Sequence, residues 1–504
     1  MIDGKEYSYS KSSSDSKSIS ILITIVGILL SVTIGVLLAG GADYKYLFVA
    51  IVGLVAFIIT FTRLELGVLG MIIALYTQAY LIIGERYGIT DIVQYLIILL
   101  VFCMVTRWVI YTPEIPQGWM RPLFYVGFYC LVCLASVMFA EFPSVSLPNA
   151  VDTLKSGVIA LIIAVVLSSK KSYRLAIWGL LFVGIFLGTL SVIQFTSGTY
   201  SYDYGGYSIA VLSNISGQTN DYRLGGPVGD PNYYAQMMLV LVPLALDRMW
   251  SERKNVMRFF AILALGLCSF AVLLTYSRGG FISMVIVVSS MIFIFRRGQI
   301  HYLLPVAVVV LLLINILPAQ FTNRISTLTE LIPGTTSSNS NGVAQDLSLR
   351  GRMSEAIVAV QMFADHPVLG VGVGNYPYLY QQYARSVGLE FRSEVRQAHD
   401  LYLEIASETG LLGLFSFLFL IFGMIDSMWK AHKLLSKRGL TDASNMIAAH
   451  TFALLGFLIS ALFIHAVYFR NFWVIAGIAL ASPRMAEIEI ENAEKQQRNK
   501  RLYR

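Results

Sequence analysis

The chain has 504 residues, 56% of them hydrophobic and only 13% charged, with a mean hydropathy of +0.67. A soluble enzyme of this size needs a more charged surface, and repeated apolar runs of bilayer-crossing length instead mark an all-α polytopic membrane protein. The formal net charge of +7 follows from Lys and Arg flanking those runs, so no nucleic-acid partner is expected.

In chain order, residues 1–18 form a polar, cytoplasmic tail that enters the first span without a small-residue cleavage site. About fourteen spans are predicted, roughly at 19–39, 46–62, 66–84, 91–109, 122–140, 152–169, 174–195, 232–247, 258–276, 280–295, 301–317, 410–428, 446–468 and 471–483. The fourteenth reads equally as a re-entrant or interfacial segment. Most of the 37 Lys and Arg fall in alternate connecting segments, among them Arg63, Arg107, Lys170, Arg174, Arg248 and Lys430. The positive-inside rule then places both termini in the cytoplasm. Cys103, Cys130, Cys133 and Cys268 all lie in apolar runs. The CxxC they include has no second pair or nearby His, so they read as small buried hydrophobes.

The organisation that follows is an N-terminal bundle (19–195), a central region (196–428), C-terminal spans (429–483) and a basic cytoplasmic tail (484–504). Two long outer loops, 196–231 and 318–409, belong to the central region, and the second is large enough for an extracytoplasmic subdomain. Within it, 336–342 reads as a flexible excursion and 352–365 as an amphipathic helix ended by His366-Pro367. GVGVGN (370–375) looks like a nucleotide loop but follows no strand and lacks an acidic partner, so a glycine-permitted turn is expected.

Three groups fall on the outer side: Arg223, Arg278 and His399. Arg278 sits in a very short turn between spans, flanked by Tyr276, where a basic residue runs against the topology rule unless it meets an anion. His399 stands two to three turns before the apolar run that starts at Gly410, placing a titratable imidazole just outside the lipid. Arg223 precedes two glycines and a GDPN turn, with Asp230 or Asn232 as the cap of the next helix; the glycines would allow close approach of a phosphate. Guanidinium groups suit phosphate oxygens. Two of them plus a histidine at a membrane rim fit transfer from a lipid-carried diphosphate, with Arg holding the leaving group and His deprotonating an acceptor hydroxyl. Arg350, Arg352, Glu408 and Tyr276 are further substrate-binding candidates. Tyr376, Tyr378 and Tyr380 suit sugar stacking or an interfacial belt equally. No metal-ligand spacing is found on this face, and no cofactor is expected.

The segments YSRGG (276–280), HPVLGVGVGNY (366–376) and AHDLYLEIASETGLLG (398–413) resemble the O-antigen ligase and polymerase superfamily of bacterial membrane glycosyltransferases. The resemblance covers about residues 220–425. It implies a GT-C-like fold, an undecaprenyl-diphosphate-linked glycan donor, metal-free inversion, and a site on the extracytoplasmic face of the plasma membrane. It carries the functional roles onto Arg278, His399 and Arg223. The sequence departs from the ligase branch at Asp400, where that branch has an amide or hydroxyl, and at Leu414-Phe415, where it has a threonine pair; the family's usual span number is about twelve. The acceptor stays open between a glycan, a lipid and a protein. The rivals are a transporter or flippase for lipid-linked sugars, which would show repeated halves and midplane charges, a protein O-oligosaccharyltransferase, and a structural scaffold for a synthesis complex, which would leave Arg278 without an evident reason.

Overall fold

The computed structural model describes residues 44–89, 91–111, 118–212, 222–295, 342–389, 396–464 and 470–502. The expected spans at 19–39 and 301–317, and most of the 336–342 excursion, lie outside the described residues. The described chain is almost entirely helical. Seven described helices are long and apolar enough to cross a membrane, or eight if one bent pair counts as a single span. The protein is a multi-pass, all-α membrane protein.

Two compact units divide the chain. The smaller holds α1 (Tyr44–Thr62) and the later part of α4 (Ile92–Tyr111). There Arg107 donates to the carbonyls of Phe61 and Thr62 at 3.1 and 2.9 Å, so a residue read as a topology charge also caps a helix C-terminus. The larger unit holds the other elements in full or in part. The expected continuous span at 66–84 is two helices, α2 (Leu64–Tyr76) and α3 (Ala79–Tyr87), bent by 70° at a left-handed Gln78.

Next come α5 (Met120–Ser136), α6 (Pro143–Val166) and α7 (Lys170–Ser197), then a short antiparallel hairpin of β1 (Ile209–Leu212) and β2 (Tyr222–Gly226). After the hairpin, α8 (Pro231–Ser251), α9 (Asn255–Leu274) and α10 (Arg278–Phe295) follow through short turns. The subdomain helices α11 (Gly342–Asp365) and α12 (Tyr376–Ser386) precede α13 (Leu401–Lys437), α14 (Thr441–Ser460) and α15 (Arg470–Leu502).

Hydropathy distinguishes α8 and α15 least because protein, not lipid, surrounds them. Every residue of α8 from Tyr233 to Arg248 is buried, as is every residue of α15 from Asn471 to Ser482. A helix facing protein can carry Gln236, Asn471 and Trp473 where a lipid-facing one would carry aliphatics. The fourteenth expected span is surrounded by protein. It is the start of a long core helix that continues into the basic tail.

Helix α13 breaks at Gly410 (φ 66°, ψ −163°). The break would orphan two carbonyls and two amides. Residues 367–372 replace both lost bonds: Val371 and Gly372 donate to the carbonyls of Ser407 and Glu408 at 3.0 and 2.8 Å, while Leu411 and Leu412 donate to the carbonyls of Pro367 and Val368 at 2.8 and 3.2 Å. Near lipid such repair is obligatory. The glycine run is a backbone-docking loop, with Gly370, Gly372 and Gly374 all at positive φ. A Cβ on Gly370 would lie 2.2 Å from the Glu408 carbonyl carbon, and one on Gly410 2.4 Å from that of Val368. Gly410→Ala is therefore expected to destabilise the protein by more than about 2 kcal/mol, from left-handed strain plus backbone overlap. A lowered thermal midpoint in detergent would show it; an unchanged midpoint would mean the loop does not seat on the helix.

At the far end of α8 from the hairpin, fully buried Arg248 pairs with Asp247 (2.6 Å), Glu252 (3.3 Å) and Asp442 (3.1 Å). Arg174 reaches Glu252 at 2.6 Å, and Lys170 reaches Asp442 at 3.1 Å and Glu489 at 3.5 Å. These charges are more than topology signals: they join α7, α8, α14 and α15 in one network.

Candidate active site

The hairpin, the α9–α10 turn and the start of α13 share one end of the larger unit. Arg223 lies on β2 opposite Val211. Its Nε donates to the Thr275 carbonyl at 2.9 Å and its Nη2 to Asn232 Oδ1 at 3.2 Å. The capping role falls to Asp230, which accepts from the amides of Asn232 and Tyr233 at 2.7 and 3.0 Å. Proline at the first helical position completes a standard helix start. The two glycines after Leu224 are required by packing within the chain. A Cβ at Gly225 would stand 2.6 Å from the Gly229 carbonyl carbon, and one at Gly226 2.3 Å from the Tyr234 ring.

Arg223 thus grips the turn that presents Arg278. In that turn Tyr276 is buried and left-handed (φ 51°). The Ser277 carbonyl accepts from the Phe281 amide at 2.9 Å, and its hydroxyl from the Gly280 amide at 3.3 Å. A Cβ on Gly279 or Gly280 would meet Phe463 at 2.8 Å or Ala235 at 2.7 Å, so the paired glycines let α10 start tight against its neighbours. The half-buried Arg278 is the first residue of α10.

His399 is also left-handed (φ 46°), a strained conformation for a non-glycine residue. It is clamped from both sides. Asp400 caps α13 by accepting from the amides of Tyr402 and Leu403 at 2.9 and 3.0 Å. Asn, Ser or Thr would cap equally well, so the departure at this position keeps the local structure. On the other side Arg396 pairs with buried Glu355 of α11 at 3.3 Å. Ala398 is packed into the apolar cluster of α11 and α12.

The electrostatics show which groups meet. Burial pushes the His399 imidazole down to about 4; the positive charges of Arg352 and Arg396 add to this, and Asp230 opposes it. The imidazole is therefore neutral at physiological pH. Burial also lowers Arg352, against the pull of Glu355 and Asp230. The field of Arg352 reaches Arg278 as well. Arg223, Arg278, Arg352 and His399, drawn from four separate segments, are brought to one site.

Other candidates sit elsewhere or serve other ends. Glu408 is buried, and its Oε1 accepts from the Tyr376 amide at 3.1 Å, within the loop–helix interlock. The Arg350 side chain lies outside the described residues. Tyr376 and Tyr380 are core residues of the subdomain, whereas Tyr378 is exposed. Sequence reasoning passed over Arg396 and Glu355. The available signals were spacing alone: Arg396 precedes His399 by three residues, and Glu355 follows Arg352 by three on one helical face.

Residues 263–418 match the family model described as O-antigen ligase. Over this region the chain is similar to the O-antigen ligase family, which supports the resemblance to the O-antigen ligase and polymerase superfamily. The matched stretch contains Arg278, Arg352, Glu355, Arg396 and His399, and Arg223 precedes it. No curated protein matches the chain. The match supports, in general, an O-antigen ligase or polymerase-type membrane glycosyltransferase, a class whose partners are a lipid-linked glycan and an acceptor.

Proposed function

We propose that this protein acts at the extracytoplasmic face of the bacterial plasma membrane, transferring a glycan from an undecaprenyl-diphosphate carrier to an acceptor hydroxyl. The observation carrying this reading is the neutral His399 under the field of Arg352 and Arg396, with Arg278 within reach of the same Arg352 and Arg223 bonded to the turn that presents Arg278. Among the described residues, Arg223, Arg278, Arg352 and Arg396 outnumber the carboxylates Asp230, Glu355 and Asp400 of this group. A net positive site of this kind suits a diphosphate diester.

His399, neutral and half-buried, takes the proton from the acceptor hydroxyl. The oxygen forms its bond to the anomeric carbon as the bond from that carbon to the diphosphate oxygen breaks. The electron pair leaves with the diphosphate, and the arginines hold its growing charge. Attack opposite the leaving group inverts the anomeric centre. An imidazole near 4 is a weak base, but a bound diphosphate offsets the field of Arg352 and raises it. The donor thereby arms the base that deprotonates the acceptor.

The acceptor decides between a polymerase, a ligase and a protein glycosyltransferase, and product length reads it directly. The test is turnover of a native lipid-linked repeat unit by purified protein, with and without EDTA. Arg278→Ala should lower transfer by roughly 100-fold or more. Arg278→Lys should recover part of the loss, because it restores charge but not the planar fork. Activity lost in EDTA would overturn the metal-free route. Carrier movement across the membrane without glycan transfer would point to a flippase.

A further inference from the structure

We propose that Glu355 is a positioning residue for this reaction: through Arg396 it holds the segment that carries His399 against the helix that carries Arg352. The proposal rests on the glycosyl-transfer reading above and names a residue that reading does not use.

Glu355 is 1% exposed, and a buried carboxylate in that setting needs compensating partners. Its Oε1 meets Arg396 Nη1 at 3.3 Å. Arg352 lies one turn earlier on the same face of α11. The backbone carbonyl of Glu355 accepts the Tyr376 hydroxyl at 2.7 Å, fixing this turn of α11 to α12. One carboxylate therefore stands between two guanidinium groups, each of which acts on His399.

The arrangement meets two needs. First, Arg352 and Arg396 repel each other, and Glu355 offsets that repulsion where water is scarce. Second, the left-handed backbone of His399 persists only if its surroundings over-determine it. Asp400 supplies the anchor on the C-terminal side. Arg396, held by Glu355, supplies the one on the N-terminal side. Without that anchor the N-terminal side is left to the packing of Ala398, and misplacement of a catalytic group by about 1 Å can cost on the order of 100-fold in rate.

The experiment is a double-mutant cycle on full-length protein in proteoliposomes, using the native lipid-linked repeat unit as donor. Glu355→Gln keeps shape and removes charge; Arg396→Gln removes the partner from its more exposed side. Each single variant should lower kcat by about 10- to 100-fold while donor KM stays within about threefold, since Arg223, Arg278 and Arg352 remain. The double variant should be no worse than the poorer single, because both break one link. Glu355→Asp should recover part of kcat. Additive losses, or a loss appearing in KM and not kcat, would overturn the positioning role. So would wild-type kcat in Glu355→Gln. A wild type that transfers no glycan would instead remove the reading beneath the proposal, and the proposal with it.

Discussion

His399→Gly is expected to lower transfer by about 100- to 10,000-fold, the range for loss of a general base, without lowering the thermal midpoint. The choice of glycine matters. At φ 46° glycine is unstrained, whereas alanine would add left-handed strain of its own. Loss of activity in the glycine variant therefore isolates the imidazole from the backbone. Donor binding, measured separately, should persist because the arginines remain. Near wild-type turnover would remove His399 as the base.

The same residue sets a pH signature. With the imidazole at about 4 in the free protein, its base form is populated throughout the neutral range. The acid limb of kcat/KM should lie near pH 4–5, well below the unperturbed histidine value of about 6.5. The limb of kcat should lie higher, because the bound diphosphate offsets the neighbouring arginines. The stability linkage has a definite sign. The folded value lies below the unfolded one, so His399 contributes nothing above about pH 6.5. It destabilises the fold as pH falls from there toward 4, since the unfolded chain binds the proton more readily. A kcat/KM limb at 6.5 would mean the imidazole is not buried among the arginines.

Arg248→Met is expected to cost about 3–5 kcal/mol of stability, the usual penalty for removing one member of a buried ion pair. The side chain is 0% exposed, and Asp247, its closest partner, is 2% exposed. Methionine fills similar space but leaves that carboxylate without its guanidinium. The double variant Asp247→Asn, Arg248→Met should be less damaged than Arg248→Met alone, since it withdraws both charges together. All four cysteines are buried, so heating in the presence of a thiol-reactive dye reports unfolding directly. Equal midpoints for the wild type and the single variant would show that the network carries no stability.

Much of this protein is local and could be read along the chain. Apolar runs mark lipid-facing helices because lipid selects composition residue by residue. Asp230 marks a helix start because a cap needs only the next three residues. The oddity of Arg278 was visible because its turn is so short. By contrast, Gln78 breaks a span that hydropathy reads as continuous, and α8 and α15 read poorly because their neighbours are protein. Hydropathy carries no information about which face meets what. Only tertiary packing decided that the 367–372 backbone would repair α13 at Gly410, and that the Arg248 charges would pair across four helices. It also brought Arg352 to His399 and to Arg278, and set Arg223 against the turn that presents Arg278, from separate segments. Composition records the solvent each residue meets, but a site made from separate segments depends on contacts that arise only when those segments pack.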